Sequence, residues 1–316
     1  MSSTRVAAVD CGTNSIRLLV ADVAADGTLS ELDRRMQIVR LGQGVDRTGE
    51  LAPEALERTL AASREYAKVA AELGATRTRF VATSATRDAR NRDEFAAGVQ
   101  AALGVEPEVV TGDEEAELSF RGATSGEAAT HPGPYLVVDL GGGSTELVLG
   151  TTTPDAAVSM DVGSVRLTER HLAGDPPTAT EIAAARADVD AALDAASAVV
   201  PLARTATLVG LAGSVTSVTA HALELPSYQR EAINGTVLEV PRVLSACEDL
   251  LRRTRDERLA LGFMHPGRAD VIGAGALIWS QIVARVRDEV AAAGGELTEV
   301  VTSESDILDG IALSLA

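Results

Sequence analysis

The sequence predicts an α/β protein of two lobes, each a mixed β-sheet with flanking helices, around a central cleft. A chain of 316 residues is long enough for two lobes of about 150 residues each. Three apolar strands in succession are followed by alternating helical and strand patterns, an order typical of mixed sheets. The strand, turn and strand at residues 9–18 recur at residues 138–147. This repeat predicts that the two lobes are duplicates of one unit.

The first lobe is predicted to cover residues 1–125. Asp26 and Gly27 mark a hairpin turn, and Pro53 and Gly74 stand where a helix begins and ends. In chain order we predict strands at 6–9, 16–23 and 29–41, a helix at 53–73, a strand at 79–82, a helix at 92–103, a strand at 108–111 and a helix at 113–121.

The second lobe is predicted to cover residues 126–304, with the C-terminal helix at 305–316 as a candidate to complete the first lobe. Its opening strands and turn repeat those of the first lobe. In chain order we predict strands at 135–138 and 145–149, a helix at 180–199, a strand at 207–211, helices at 241–253 and 270–290, a strand at 299–302 and a helix at 306–315.

Composition and charge exclude or disfavour several classes of protein. The net charge of −18 disfavours a nucleic-acid-binding protein. Lys68 is the only lysine, so the Gly-Lys-Ser/Thr loop of P-loop NTPases is excluded. Cys11 and Cys247 provide neither a disulfide framework nor a metal-binding spacing. The sequence shows no signal peptide and no apolar run of about 20 residues, so we expect a cytoplasmic protein without a membrane partner.

The repeated loop has the chemistry of a phosphate site. In each copy a strand ends in aspartate, Asp10 or Asp139, and the chain then turns on glycine. Glycine allows successive backbone N–H groups to line a concave anion site, and the hydroxyls of Ser15 and Ser144 add donors. The aspartates only accept hydrogen bonds, so they suit a metal ion or its water ligands. A single Asp-x-Gly hairpin is common, but two copies in register point to function.

The two copies differ seven residues after the aspartate. Arg17 stands there in the first lobe, and Glu146 stands there in the second. On opposite walls of a cleft, the arginine would bind phosphate and the glutamate would bind a metal ion or water. The alternative is that both are solvent-facing strand residues.

The motifs resemble those of the exopolyphosphatase and guanosine-pentaphosphate phosphohydrolase (Ppx/GppA) family, in the superfamily of actin, sugar kinases and heat-shock chaperone ATPases. The resemblance covers nearly the whole chain and implies the actin-like, ribonuclease H-like fold. The family's Asp-x-Gly-Ser/Thr-Asn-Ser motif stands here at 10–15, and its Asp-x-Gly-Gly-Gly-Ser-x-Glu motif stands at 139–146. Its Gly-x-Glu-Glu-Ala motif stands at 112–116. A Thr/Ser-rich segment that ends in arginine stands at 82–87, and a third glycine motif stands at 210–214.

The resemblance implies a role for each candidate site residue. It makes Glu115 the group that orients the attacking water, whereas Glu114 would point elsewhere on the helix. It implies Mg²⁺ or Mn²⁺ as cofactor, with Asp139, Glu146 and Asp10 as candidate ligands. Substrate phosphates are expected at Gly12, Thr13, Asn14, Ser15, Arg17, Arg87, Gly141, Gly142, Gly143, Ser144, Gly213 and Ser214.

The predicted activity is release of terminal phosphate from inorganic polyphosphate, and a homodimer is a reasonable assembly for this family. Hydrolysis of guanosine pentaphosphate uses the same residues and stays open as the alternative. A non-catalytic sensor of polyphosphate or of the alarmone is disfavoured, because a sensor has no need of Glu115. Longer members of the family carry an additional C-terminal region of the HD type, so we expect this short form to favour short polyphosphate chains.

Other charged residues near glycine turns are weaker candidates. Arg40 and Arg166 are explained equally well as ion-pair residues. The segment with His265 and Arg268 precedes a long helix, and we interpret it as structural. Arg87 has a competing interpretation as a surface residue at the start of a helix. Cys11 is expected to pack as a small apolar group in the core.

Overall fold

The computed structural model describes residues 3–126 and 130–316, and the chain divides into two compact units. Unit 1 comprises the residues up to Gly122 together with Ile307–Ala316, and unit 2 comprises Ala123–Asp306. The chain therefore passes from one unit to the other twice. The predicted boundaries, after residues 125 and 304, lie within a few residues of these two crossings.

Unit 1 contains five strands and six helices in the part of the chain that the structure describes. The long helices are α2, α4 and α5, with 20, 12 and 13 residues, and α2 and α4 pack their apolar faces on one side of the sheet. The elements are β1 (Ser3–Cys11), β2 (Ser15–Ala24), β3 (Leu29–Ile38), α1 (Val45–Thr48), α2 (Pro53–Glu72), β4 (Arg77–Ala82), α3 (Ser84–Asp88), α4 (Arg92–Leu103), β5 (Glu108–Val109), α5 (Gly112–Thr124) and, at the end of the chain, α13 (Ile307–Leu313).

Sheet 1, the sheet of unit 1, has the strand order β3-β2-β1-β4-β5. The first three strands are antiparallel, and β4 and β5 run parallel to β1. Side chains alternate between the two faces of β1. Ala7 and Val9 pack with α2 and α4 on one face, and Val6 and Ala8 pack with α13 on the other. Both faces of the central strand are thus buried.

Unit 2 repeats this plan with one extra strand. Its sheet, sheet 2, has the order β10-β11-β9-β6-β7-β8, in which β6, β9 and β11 are parallel. Its elements are β6 (Tyr135–Leu140), β7 (Thr145–Gly150), β8 (Pro154–Met160), α6 (Ser164–His171), α7 (Ala179–Ser197), β9 (Thr207–Leu211), α8 (Ala212–Ala222), α9 (Arg230–Ile233), β10 (Val237–Glu239), α10 (Val240–Arg252), α11 (Arg255–Leu259), α12 (Ile272–Ala292) and β11 (Glu299–Thr302).

The predicted strands and helices are confirmed, with small shifts at their ends. The third strand was wrong at its C-terminal end, since it stops at Ile38 rather than residue 41, where the chain turns back toward the first loop. The sequence prediction missed the short helices α1 and α3 in unit 1 and, in unit 2, β8, β10, α6, α8, α9 and α11. Within the described ranges, no helix has the length and apolar character needed to cross a bilayer.

Helix α13 packs on sheet 1 because glycine allows its backbone to approach α5 closely. A Cβ placed on Gly310 would lie 1.9 Å from the carbonyl oxygen of Leu118 in α5. Ile307, Leu308 and Ile311 of α13 are buried against β1 and β2. The last helix of the chain therefore forms part of the core of unit 1.

We expect Gly310→Ala to destabilise the protein by about 1–3 kcal/mol, because the methyl group must push α13 away from the backbone of α5. This cost outweighs the gain of about 1 kcal/mol that alanine brings to a helix. Thermal unfolding measures the effect. Gly98→Ala in α4 is the control, since its Cβ would meet only the end of the Leu60 side chain, which can move. Equal melting temperatures for both variants would contradict this account.

Candidate active site

The two Asp-Gly loops have the same backbone turn. The Gly12 N–H donates to the Ser15 carbonyl at 2.9 Å, and the Gly141 N–H donates to the Ser144 carbonyl at 3.0 Å. Each loop joins two antiparallel strands at the edge of its sheet where the parallel strands end. Ligands of α/β sheets bind at this carboxyl edge. The internal repeat is therefore a repeat of structure at the same position in both sheets.

The carbonyl groups of the second loop are held by the start of α6. The backbone N–H groups of Ser164 and Val165 donate to the Gly141 and Gly142 carbonyls at 3.0 and 2.8 Å. Arg166 Nε donates to the Gly143 carbonyl at 2.7 Å. In a planar trans peptide the N–H group points away from the carbonyl that precedes it.

The next three amides of this loop consequently face away from α6. They belong to Gly142, Gly143 and Ser144, and none of them donates a hydrogen bond within the described part of the chain. Successive N–H groups that face one side bind anions. The second loop thus has the geometry of a phosphate site.

The first loop is supported in a similar way by the segment after β3. The Gly42 N–H donates to the Thr13 carbonyl at 2.8 Å, and the Val39 and Arg40 N–H groups donate to the Asn14 carbonyl at 3.0 and 2.9 Å. The amide of Asn14 therefore faces away from residues 39–42. Arg40 and Arg166 thus both contact a loop backbone, which the sequence did not reveal.

The charged residues of the first loop bind each other. Asp10 and Arg17 are direct partners across β1 and β2. Arg17 Nε and Nη2 both donate to Asp10 Oδ2, at 2.9 and 2.7 Å. Asp10 is buried, and Arg17 neutralises its charge within sheet 1. Asp10 and Arg17 are thus paired in this structure, and their roles as metal ligand and phosphate ligand stay predictions.

The second loop has two carboxylates at the same positions. Asp139 and Glu146 are direct partners across β6 and β7, and they are 6% and 1% exposed. Ser159 of β8 stands opposite Glu146 and donates to its Oε1 at 2.7 Å. Two carboxylates on neighbouring strands have the hard oxygen atoms that a divalent cation can bind. Among the described residues, no three His, Cys, Asp or Glu side chains form a ready-made metal cluster.

Glu115 lies at the carboxyl edge of sheet 1, in the first turns of α5. Its side chain is buried, and its Oε2 accepts a hydrogen bond from Arg87 Nη1 at 3.1 Å. Its neighbour Glu114 turns outward and binds Arg79 at 2.8 Å. The Thr111 hydroxyl accepts from the Glu114 N–H at 3.2 Å and caps this helix. The two glutamates thus point in different directions on the helix, and the water-orienting role of Glu115 stays a prediction.

The third glycine motif forms the link from β9 to α8, at the carboxyl edge of sheet 2. Ser214 lies in the first turn of α8, and its hydroxyl lies against the backbone of Gly275 in α12. The guanidinium group of Arg268 covers Gly213, where a Cβ would lie 2.1 Å from Nη2. Arg268 Nη1 also donates to the Ser217 hydroxyl at 3.1 Å. Arg268 therefore brings a positive charge to this turn.

Comparison with known proteins assigns the chain to a family. The family model described as the Ppx/GppA phosphatase family matches residues 19–299. The chain belongs to the Ppx/GppA phosphatase family. Its two mixed sheets with flanking helices are the actin-like two-lobed fold of that family, and it is a phosphoanhydride hydrolase.

Individual Ppx/GppA proteins resemble the chain to different extents. It is 49% identical over 324 aligned positions to Exopolyphosphatase 2 of Mycobacterium tuberculosis, covering 100% of both chains. It is 37% identical to the guanosine-5'-triphosphate,3'-diphosphate pyrophosphatase of Pseudoalteromonas atlantica, over 60% of this chain and 38% of that protein. The crystal structure of an exopolyphosphatase-like protein superposes with a TM-score of 0.97 at 48% identity, covering 100% of this chain and 98% of that one.

Sequence reasoning missed two glycines that contact the Ppx/GppA loops, and it interpreted Arg268 as structural without placing it at a loop. Gly163 lies against the backbone of residues 142–143, Gly42 lies against the Thr13 side chain, and Arg268 covers the third glycine turn. A Cβ on Gly163 would lie 2.5 Å from the carbonyl carbon of Gly142. Each of the two glycines follows the third strand of its sheet, but Gly42 lies 32 residues after Asp10 and Gly163 lies 24 residues after Asp139, so the repeat does not align them.

We expect Gly163→Ala to reduce kcat/KM by about 100-fold, because its methyl group must displace the backbone of residues 142–143 by more than an ångström. Steady-state kinetics with a phosphoanhydride substrate measures the effect. Ser164→Ala is the matched control, since it removes only a long 3.3 Å hydrogen bond from the Ser164 hydroxyl to Gly141. Wild-type kinetics for Gly163→Ala would refute the assigned role of α6 in shaping the loop.

Proposed function

We propose that the protein is an exopolyphosphatase, which releases terminal orthophosphate from inorganic polyphosphate by attack of water. The observation that carries the proposal is the buried carboxylate of Glu115 at the carboxyl edge of sheet 1. A hydrolase needs a group that orients water, and a buried carboxylate at this edge can serve that purpose. The full-length similarity to an exopolyphosphatase supports polyphosphate as the substrate.

The loop backbones would bind the substrate's terminal phosphate groups. The amides of Asn14, Gly142, Gly143 and Ser144 face away from the segments that hold the loop carbonyls, so they can donate to phosphate oxygens. Arg268 adds a full positive charge at the third glycine turn. Backbone amides recognise phosphate by shape and leave the rest of the substrate unspecified, which suits a polymer of identical units.

Glu115 would orient the attacking water and accept its proton. The water oxygen then forms a bond to the terminal phosphorus while the bridging oxygen–phosphorus bond breaks. The bridging oxygen leaves with the electron pair on the shortened chain, and orthophosphate is released. Burial of Glu115 beside Arg87 keeps its carboxylate in one orientation.

A divalent cation fits the carboxylate pair of sheet 2. Asp139 and Glu146 provide hard oxygen donors on neighbouring strands, and Mg²⁺ binds with one or two carboxylates, substrate phosphates and water. When bound, Mg²⁺ would neutralise charge on the phosphate oxygens. Asp10 is less suited, because Arg17 already binds its Oδ2. We therefore assign the metal to the Asp139 loop alone.

Hydrolysis of guanosine pentaphosphate is the second candidate function, and it is favoured by the similarity to the Pseudoalteromonas atlantica enzyme. Both substrates end in a phosphoanhydride, so the residues above would serve either reaction. Phosphate release from polyphosphate and from guanosine pentaphosphate, measured side by side, separates the two. A higher kcat/KM on guanosine pentaphosphate would reverse our order. The preference for short chains stays a prediction, which a series of chain lengths tests.

Glu115→Gln should lower kcat for polyphosphate hydrolysis by about 100-fold to 10,000-fold, because the amide cannot accept a proton from water. Binding of polyphosphate should persist. Phosphate release and equilibrium binding measure the two effects. Glu114→Gln is the matched control on the same helix, and it should retain wild-type turnover. Normal turnover in Glu115→Gln would show that another group orients the water.

Asp139→Asn should raise the Mg²⁺ concentration for half-maximal activity by at least about tenfold, since it removes one anionic ligand. A Mg²⁺ titration after treatment with a chelator measures this shift. Asp155→Asn is the control, because it also removes one carboxylate charge from sheet 2. Asp155 lies on the edge strand β8 and binds Arg204 at 2.9 Å, and it has no assigned role in metal binding. An unchanged Mg²⁺ requirement in Asp139→Asn would place the metal elsewhere.

A further inference from the structure

Arg87 contacts the proposed water-orienting group directly. Its Nη1 lies 3.1 Å from Glu115 Oε2 and donates to the Val110 carbonyl at 2.9 Å. The Glu115 side chain is 10% exposed, and that of Arg87 is 25% exposed. A largely buried carboxylate is strongly destabilising without a partner. Arg87 provides such a partner for Glu115, whose carboxylate must point toward the attacking water in the proposed reaction.

The backbone around Arg87 is fixed to the first loop and to sheet 1. The Thr83 N–H donates to the Cys11 carbonyl at 3.1 Å, and the Arg87 N–H donates to the Thr83 carbonyl at 3.0 Å. The Ser84 hydroxyl lies 2.9 Å from the Thr13 hydroxyl. Arg87 thus extends from a segment bonded to the first loop to the beginning of α5.

In the competing interpretation, Arg87 binds substrate phosphate. The two interpretations differ in the number of guanidinium nitrogens that the contact requires. Nη1 alone makes both protein contacts, so a single nitrogen suffices to hold Glu115 and Val110. Recognition of phosphate by arginine instead uses the two-pronged face of the guanidinium group, which lysine cannot reproduce. A lysine at this position therefore separates the two roles.

We propose that Arg87 is a positioning residue, which acts on the reaction by fixing the Glu115 carboxylate toward the attacking water. The inference rests on the proposed function, because it requires Glu115 to be the water-orienting group. In this role Arg87 changes the turnover step and leaves substrate binding nearly unchanged.

The first experiment measures phosphate release from polyphosphate of defined length. Arg87→Gln is expected to lower kcat at least about tenfold while KM stays within about twofold, and Arg87→Lys is expected to recover most of kcat. Arg79→Gln is the matched control, because it breaks an arginine–glutamate pair with the neighbouring Glu114. It is expected to keep wild-type kcat. Thermal unfolding shows whether each variant is folded.

The second experiment measures the polyphosphate Kd of the inactive Glu115→Gln enzyme with and without Arg87→Gln. A change of less than about twofold supports positioning, and an increase of about tenfold or more means that Arg87 binds substrate. That increase, or unchanged kcat in Arg87→Gln, overturns the inference. If Arg87→Gln does not fold, Arg87→Lys decides through kcat and KM.

The same variants keep this inference separate from the proposed function. Full activity in Glu115→Gln overturns the proposed catalytic role itself. An inactive Glu115→Gln, combined with an Arg87 variant that loses substrate affinity, leaves the proposed function intact and overturns only the positioning role.

Discussion

The candidate site depends on one constraint: because a peptide bond is planar, the N–H group and the carbonyl group of each loop peptide point in opposite directions. Each loop turns its carbonyl groups toward a segment that returns after the third strand of its sheet, and that segment donates N–H groups to them. The amides of the loop must then face the opposite side. Phosphate binding by such loops would not require a lysine. The proposed phosphate site is therefore compatible with a chain that has a single lysine and a net charge of −18.

The two repeated loops have the same backbone turn but carry different side chains. At the same register position, sheet 1 pairs aspartate with arginine and sheet 2 pairs aspartate with glutamate. The first pair neutralises itself. The second pair concentrates negative charge, which is costly unless a cation or hydrogen bonds compensate for it. This difference is the physical reason for our proposal that a metal ion binds at one loop only.

Local patterns predicted most of the fold, because glycine, proline and apolar periodicity act over a few residues. The pairing of Asp10 with Arg17 could also have been found, since a turn closed between Gly12 and Ser15 places residues 10 and 17 opposite each other. The supporting segments could not be found so easily. Strand β8 begins at Pro154 and is only half buried, and α6 is short. The need for Gly163 arises from a contact with residues 142–143 that no local pattern encodes.

Helix α13 has a consequence for biosynthesis. It covers one face of sheet 1, yet the ribosome makes it only after all of unit 2. The N-terminal strands are thus synthesised first, but one of their apolar faces stays uncovered until α13 has been made. Unit 2 is complete in sequence before that point. Unit 2 can finish folding before unit 1, in the reverse of the usual N-terminal-first order. During that interval the face of β1 and β2 that α13 covers lacks its partner helix.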